Sequence, residues 1–144
     1  MIKIDETLLR VLAAVPIFAG IGRLELIALL ANAIRVERAA DQLFFDEGDD
    51  GQTFFVFIMG SAIIEKHTSN GWHELADLRP GDTFGEMAIV DGGKRSARVR
   101  ATSDAIALKF QKNDIELSAE AAIVIYRNIA RILSKRLRHY NEKL

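Results

Sequence analysis

Hydrophobic side chains change their spacing twice along the chain, and each change marks a different kind of structure. In residues 1–32 they recur every three or four positions, the spacing of one helical face. The pattern predicts a first helix capped by Asp5 and stopped before Pro16, then a second helix over residues 24–31 that begins after Gly22. This part of the chain is predicted to be a helical lead-in.

Between residues 33 and 110 the apolar runs are short and separated by glycine-bearing turns, which is typical of an all-β sandwich or roll. Asn70 and Gly71 predict a tight hairpin because both residue types tolerate a positive φ. In residues 53–59, apolar side chains occupy both the odd and the even positions, so that both faces of a strand there would be apolar. We therefore predict a central strand there, covered on one face by the interior of the roll and on the other by helices.

After residue 110 the helical spacing returns. Asn113 or Asp114 is expected to cap a short helix, and a long helix is predicted from about Ala119 to Asn141. Two apolar stripes run along this long helix. A heptad seam is formed by Ile123, Tyr126, Ala130, Leu133, Leu137 and Tyr140, and a second stripe by Ala122, Ile125, Ile129 and Ile132. We expect one stripe to pack on the roll and the other to meet a second copy of the chain in a two-fold dimer.

The segment from Phe84 to Ala101 combines a glycine turn, a short apolar helix and a predicted strand that begins with a cation. Free backbone N–H groups at a helix start suit a phosphate. If the strand alternates, Arg95 lies on the same face as Ala97 and Val99 and points inward, where a guanidinium needs an anion. The segment therefore predicts an anion-binding cradle.

These residues also carry a family resemblance. The Phe-Gly-Glu sequence at residues 84–86, the short apolar helix, and Arg-Ser-Ala at residues 95–97 followed by Val99 resemble the phosphate-binding cassette of cyclic nucleotide-binding domains. The Crp/Fnr-like sensor domains are among these. The resemblance implies a mainly β fold, an eight-stranded jelly-roll-like β roll (a double-stranded β-helix) with N-terminal helices and a long C-terminal helix. It implies one domain over residues 1–144, with the lead-in at 1–32, the roll at 33–110 and the C-terminal helices at 111–144.

The resemblance further implies a ligand, cAMP, with cGMP as the alternative. Arg95 and Ser96 would hold the cyclic phosphate, and Glu86 would accept a hydrogen bond from the ribose 2′-hydroxyl, although a glutamate is also favoured at any helix start. Arg136, or Arg131, would cover the base. The full set of expected ligand contacts is Gly85, Glu86, Met87, Ala88, Arg95, Ser96, Ala97, Ile58, Leu75 and Arg136. For the expected base-pocket residues Ile58 and Leu75, core packing accounts for them equally well, and the helix arginines also fit a solvated face.

The chain departs from the family pattern at three positions. Lys94 precedes the cassette arginine where a proline is frequent, which predicts a looser turn and a second positive charge. Phe55 stands where tyrosine is frequent, and Asp41 where glycine is common. We expect the change at Lys94 to alter ligand affinity more than the identity of the site.

Composition narrows the class of function. The chain has 144 residues, enough for one domain with a core, and 19 basic against 20 acidic side chains give a net charge of −1, so nothing favours nucleic acid or a membrane surface. Without cysteine there are no disulfides and no cysteine catalysis. The scattered histidines predict no metal site, and no nucleophile–base pair points to an enzyme. With no signal peptide and no long apolar run, we expect a cytoplasmic protein.

The sequence therefore predicts a cyclic nucleotide sensor or regulatory domain, a homodimer through its C-terminal helix that signals along this helix to an unidentified protein effector. Two alternatives remain. The chain could be the sensor part of a Crp/Fnr-type transcription regulator whose DNA-binding domain is absent. It could also be a dimerisation module that keeps the fold without the ligand.

Overall fold

The computed structural model describes residues 2–142. In chain order the elements are α1 (Glu6–Ala13), a 3₁₀ turn (Pro16–Phe18), α2 (Arg23–Asn32), β1 (Ile34–Arg38), β2 (Leu43–Phe45), β3 (Thr53–Met59), β4 (Ala62–Thr68), β5 (Gly71–Leu78), β6 (Thr83–Phe84), α3 (Met87–Asp91), β7 (Arg98–Ala101), β8 (Ala105–Gln111), α4 (Lys112–Glu116) and α5 (Ala119–Glu142). The chain forms two compact units: a β unit containing Ala33–Lys112, and a helical unit containing Lys3–Asn32 and the chain from Asn113 onward.

The β unit is built from two four-stranded antiparallel sheets. The strand order is β1-β8-β3-β6 in one sheet and β2-β7-β4-β5 in the other. The predicted fold class, mainly β with eight strands and helices before and after them in sequence, is confirmed. The predicted hairpin is also confirmed, because β4 and β5 pair directly. Its turn lies one residue earlier than predicted, at Ser69 and Asn70, since Gly71 already pairs with Thr68 in β5, and only Gly71 has a positive φ.

The core of the β unit draws on all eight strands. Its buried residues are Val36, Phe44, Phe55, Phe57, Ala62, Leu78, Phe84, Val99, Ala101, Ala105 and Ala107. The ring of Phe44 meets those of Phe55, Phe57 and Phe84 edge-on, with centroids 5.4–6.1 Å apart. Edge-to-face contacts of this kind stabilise a core beyond the area they bury.

Strand β3 is central, as its composition predicts. It pairs with β8 on one side and β6 on the other, and residues 54–57 are buried at both parities. Phe55 and Phe57 belong to the core cluster. Phe54 has the opposite parity and stacks on Phe110 of β8, with centroids 5.0 Å apart. A strand that buries both faces explains why this sequence does not alternate between apolar and polar residues.

The helical unit confirms the predicted first cap and corrects another. Asp5 Oδ1 accepts a hydrogen bond from the backbone N–H of Leu8 at 2.8 Å. The expectation that Asn113 or Asp114 caps the short helix is wrong, because α4 already begins at Lys112. Buried Asn128 of α5 donates through Nδ2 to two carbonyl oxygens of the 3₁₀ turn region, those of Ile17 and Ala19, at 2.9 Å each. These bonds fasten α5 within its unit.

The two apolar stripes of α5 have different environments. Ile125 and Ile129 of the second stripe are fully buried, whereas Ile123, Leu137 and Tyr140 of the heptad seam are 66%, 61% and 62% exposed. The seam is therefore an apolar surface on the single chain.

No helix within residues 2–142 is both long enough and apolar enough to cross a bilayer.

Candidate functional site

The cassette from Phe84 to Ala101 consists of the end of β6, the short helix α3 and strand β7. Gly85 connects the first two with a φ of +80°, and a Cβ added there would lie 2.8 Å from Nη1 of Arg95. The carbonyl oxygen of Gly85 accepts a hydrogen bond from the same nitrogen, also at 2.8 Å. Both the left-handed conformation and the close approach of the guanidinium therefore favour glycine at this position.

The backbone around Arg95 differs from the predicted strand. Strand β7 begins at Arg98, so the expectation that it begins at Arg95 is wrong. Instead, Arg95 exchanges backbone hydrogen bonds with the loop before β3: its N–H donates to the carbonyl of Asp49, and its carbonyl accepts from Gly48, both at 2.8 Å. The pairing with this loop ends the regular ladder. The predicted burial nevertheless holds, because Arg95 and Ala97 are both buried.

The side chain of Arg95 is 6% exposed and its guanidinium is held on several sides. Nη1 donates to the Gly85 carbonyl, and Nη2 donates to the carbonyl and the hydroxyl of Thr53 at 2.8 and 2.9 Å. The guanidinium carbon lies 4.1 Å from the ring centroid of Phe45, a cation–π contact. Nε is buried and has no hydrogen-bond partner among residues 2–142. The guanidinium thus has one donor that is not used within the described residues.

Glu86 adds a second buried charge to the cassette. It is 2% exposed and precedes α3, but its side chain makes no capping hydrogen bond to that helix. Burial lowers the pKa of Arg95, while the negative charges of Asp49 and Glu86 act in the opposite direction. Glu86 is therefore close enough to influence the guanidinium. Capping of α3 does not explain its burial.

The remaining cassette residues divide by exposure. Ala88 and Ala97 are buried, whereas Met87 is 51% exposed. Ser96 is exposed, and its carbonyl accepts a hydrogen bond from Nζ of Lys66 at 2.8 Å. Ser96 thus lies at the surface of the cassette, next to the buried arginine in sequence.

The expected base-pocket residues lie in different sheets. Ile58 is half-buried at a register shift of β3, and Leu75 of β5 is 58% exposed. For Leu75, this exposure rules out core packing. Arg136 belongs to α5, where it lines a cavity of about 390 Å³ together with Arg131, Lys135 and residues of the 3₁₀ turn region. Its proposed contact with the base stays a prediction.

Three residues next to Arg95 are not predicted from the sequence: Phe45, Gly51 and Thr53. A Cβ on Gly51 would lie 2.6 Å from Cβ of Ala88 and 2.9 Å from Nε of Arg95, so glycine lets the loop pack against the cassette. From the sequence, the glycines of this loop indicate only a turn. Nothing in the local sequence signals that the loop before β3 pairs with the backbone of residue 95.

The other two arginines of the cassette, Arg98 and Arg100, form ion pairs. Glu65 of β4 is 3% exposed, and its Oε1 accepts from Nε of Arg98 at 2.7 Å and from Nε of Arg100 at 2.9 Å. The hydrogen bond from Arg100, followed by that from Arg98, lowers the pKa of Glu65, and burial opposes the effect. The guanidinium of Arg98 also lies 3.4 Å from the ring centroid of Trp72. The charges of these two arginines are therefore paired with a carboxylate of the same sheet.

Two of the departures from the family pattern have structural counterparts. Asp41 has a φ of +74°, a left-handed conformation that glycine adopts more readily. Its carboxylate bonds Nη1 of Arg100 at 2.9 Å. Lys94 bonds Oδ1 of Asp50 at 2.7 Å, which ties the turn before Arg95 to the loop before β3.

The structure gives no indication of a metal centre in the part of the chain that it describes. No three histidine, cysteine, aspartate or glutamate side chains within residues 2–142 lie together as metal ligands would. His67, His73 and His139 are all exposed.

Comparison with known proteins identifies the class. The profile of the cyclic nucleotide-binding domain family matches residues 35–117, and the chain belongs to this family. The matched region includes the cassette and both sheets except Ile34, the first residue of β1. The resemblance carried by the cassette residues is thereby confirmed.

Among individual proteins, the chain is similar to a cyclic AMP receptor protein from Thermus thermophilus, with 29% identity over 130 residues that cover 90% of this chain and 60% of the relative. The crystal structure of the Thermus thermophilus catabolite activator protein superimposes with a TM-score of 0.79 at 29% identity, covering 89% of this chain and 61% of that chain. The N-terminal domain of a transcriptional regulator from Streptomyces coelicolor superimposes with a TM-score of 0.76 at 27% identity, covering 88% of this chain and 94% of that chain. This chain thus spans about 60% of the length of the Thermus receptor protein.

Proposed function

We propose that this chain is a regulatory domain that binds cAMP, with cGMP as the alternative, in the cassette between Phe84 and Ala101. One observation carries the proposal. Arg95 is a buried cation whose hydrogen bonds all go to neutral oxygens, in a domain of the cyclic nucleotide-binding family. A buried charge without a counterion in hydrogen-bond contact is costly, and a phosphate would compensate it.

In the proposed complex the cyclic phosphate accepts hydrogen bonds from Arg95 and from the hydroxyl of Ser96. Glu86 accepts a hydrogen bond from the ribose 2′-hydroxyl, a role that its burial beside the arginine supports. The backbone of Gly85 and residues 87–88 contributes N–H groups near the phosphate. Ala97 also contacts the nucleotide. Ile58 and Leu75 contact the base, and Arg136 covers the base.

The preference for cAMP is supported by the similarity to the Thermus relative, which is named a cyclic AMP receptor protein. Ser96 is compatible with either purine nucleotide. A titration with both nucleotides measures the preference.

Isothermal titration with cAMP, cGMP, cCMP and cUMP tests the proposal. We expect binding of cAMP by the unaltered chain and its loss in Arg95→Ala and Arg95→Lys, because lysine keeps the charge but lacks the planar fork. Arg35→Ala is the matched control, since Arg35 is an exposed arginine of β1. Circular dichroism checks that each variant is folded. If folded Arg95→Ala binds cAMP as tightly as the unaltered chain, the cassette is not the site.

A titration in which the unaltered chain binds none of these nucleotides would instead favour the dimerisation module that keeps only the fold. The thermal midpoint measured with and without each nucleotide gives an independent check, because a ligand that binds the native state raises it.

We also propose that the chain forms a homodimer through the heptad seam of α5 and signals along this helix. The exposure of Ile123, Leu137 and Tyr140 supports this, because such an apolar stripe on a helix suits a copy of itself. Sedimentation analysis of Leu137→Glu should give a monomer, whereas Arg138→Glu, a charge reversal beside the seam, should remain dimeric. A monomeric unaltered chain at high micromolar concentration contradicts the dimer.

If the chain signals along α5, ligand binding should alter the protection of this helix in hydrogen–deuterium exchange.

The likeness to the N-terminal domain of the Streptomyces regulator favours a second output, transcription control by a longer protein. Sequencing the reading frame beyond the codon for Leu144 distinguishes this output from a separate protein effector.

A further inference from the structure

The guanidinium of Arg95 is oriented by acceptors that do not neutralise it. Of its five N–H groups, one is bonded to the carbonyl of Gly85 and two to the carbonyl and hydroxyl of Thr53, at 2.8–2.9 Å. The ring of Phe45 supports its face at 4.1 Å. All of these partners are neutral, so they fix the direction of the group, and the only charges that act on it are those of Asp49 and Glu86, which make no hydrogen bond to it within residues 2–142.

The hydroxyl of Thr53 differs from the other acceptors because it belongs to the side chain. Any residue at positions 53 and 85 would offer a backbone carbonyl, whereas the third acceptor depends on the side chain at position 53. Thr53 is the first residue of β3 and is half-buried. Because it is β-branched and begins a strand, its hydroxyl has few orientations and holds a fixed position.

We propose that Thr53 is a positioning residue for Arg95, and that its hydroxyl sets the affinity of the cassette for a cyclic phosphodiester anion. The inference rests on the proposed function. A guanidinium already held in place loses less conformational freedom when the ligand arrives, so preorganisation raises affinity without a direct contact between Thr53 and the ligand. Thr53 acts only through Arg95.

The test compares Thr53→Val with Thr53→Ser by isothermal titration of cAMP. Valine keeps the shape and removes the acceptor, and we expect affinity to fall about three- to tenfold, the loss typical of one hydrogen bond. Serine keeps the hydroxyl and should bind within about twofold of the unaltered chain. Thr53→Ala gives a second variant without the acceptor, in case the valine form does not fold.

Thr83 supplies a matched control. It is a buried threonine of β6, 6% exposed, and its hydroxyl has no hydrogen-bond partner within the described part of the chain. Thr83→Val makes the same chemical change at a position that does not hold the arginine, and its affinity should stay within about twofold. Equal weakening by Thr83→Val and Thr53→Val would overturn the inference.

A spectroscopic readout separates positioning from general stability. In nitrogen-15 NMR, slow rotation about the Nε–Cζ bond should give separate Nη signals for Arg95 in the unaltered chain and in Thr53→Ser. In Thr53→Val the carbonyls of residues 53 and 85 still accept hydrogen bonds, but the loss of one acceptor should speed the rotation and broaden these signals. If Thr53→Val binds cAMP normally, or its Nη signals stay as sharp as in the unaltered chain, Thr53 does not position the arginine. Failure of the unaltered chain to bind any cyclic nucleotide removes the proposed function itself, and the inference falls with it.

Discussion

Glu65 is the residue whose removal tests the electrostatics of the β unit most directly. Its Oε1 accepts hydrogen bonds from Arg98 and Arg100 on the neighbouring strand. The side chains of Glu65, Arg98 and Arg100 are 4%, 21% and 26% exposed, respectively. Glu65→Gln keeps the size and one acceptor oxygen but removes the charge. The two guanidinium groups then lose their shared counterion, although each retains contact with water and Arg100 also retains Asp41.

The expected loss of stability follows from these contacts. Hydrogen bonds to a charged group contribute about 1.5–3 kcal/mol each, and roughly half of that remains when the acceptor is neutral. Because solvent reaches both arginines, we expect Glu65→Gln to lower the free energy of unfolding by about 1.5–3 kcal/mol at neutral pH, less than for a fully buried pair. Urea unfolding at constant m-value measures this difference.

The same contact predicts a pH dependence of definite sign. The arginines lower the pKa of Glu65 in the folded chain below its ordinary value of 4.5. The stabilisation is therefore fully present above about pH 4.5 and is lost as the pH falls through the lowered pKa. The difference between the unaltered chain and Glu65→Gln should narrow on acidification.

The matched control is Glu37→Gln, because Glu37 pairs with Arg35 at 3.1 Å while both side chains are more than half exposed. Exposed pairs of this kind contribute little, so its effect should stay below about 0.5 kcal/mol. A Glu65→Gln effect equally small at neutral pH, or one that does not change between neutral and acidic pH, would refute the reasoning.

Three further substitutions have expected outcomes. Asn128→Leu leaves two carbonyls of the 3₁₀ turn region without their donor and should lower the free energy of unfolding by about 2–4 kcal/mol in urea titrations. Gly51→Ala places a methyl group 2.6 Å from Cβ of Ala88 and should lower the free energy of unfolding by about 1–3 kcal/mol, measured in the same way. Adding Ala88→Gly should recover part of this stability, and no recovery would contradict steric overlap as the cause. Asp41→Ala should be less stable than Asp41→Gly by about 1 kcal/mol, because alanine carries a Cβ in the left-handed conformation and glycine does not.

The elements that the sequence predicts well are those determined by local pattern. Strand β3 is predictable because a short run of apolar residues at both parities, bounded by glycine turns, favours a buried strand, and the structure buries residues 54–57 on both faces. The cap at Asp5 depends on a hydrogen bond to a backbone group three residues away, and the hairpin depends on the positive φ of Gly71 next to its turn. Such features need no knowledge of the rest of the chain.

The features that could not be predicted from the sequence depend on pairing between distant parts of the chain. Thr53 lies 42 positions before Arg95, and the hydrogen bonds that join them require the loop before β3 to lie beside the cassette. The predicted start of β7 is wrong for the same reason, since Arg95 pairs with Asp49 instead of continuing the ladder. Periodicity indicates which face a residue occupies, but not which distant backbone will compete for its hydrogen bonds.

The three arginines of the cassette show how one alternating stretch produces two kinds of site. Arg98 and Arg100 lie on one parity and share a buried carboxylate, so their charges are compensated within the fold. Arg95 has the other parity and lies just before the ladder begins, where its partners are neutral oxygens and an aromatic ring. A cation compensated by the fold stabilises the fold, whereas a buried cation oriented but not neutralised favours an anion that arrives from outside. This contrast, more than the count of basic residues, separates the proposed ligand arginine from its neighbours, and it supports the proposal of a specific anion site in a chain of nearly zero net charge.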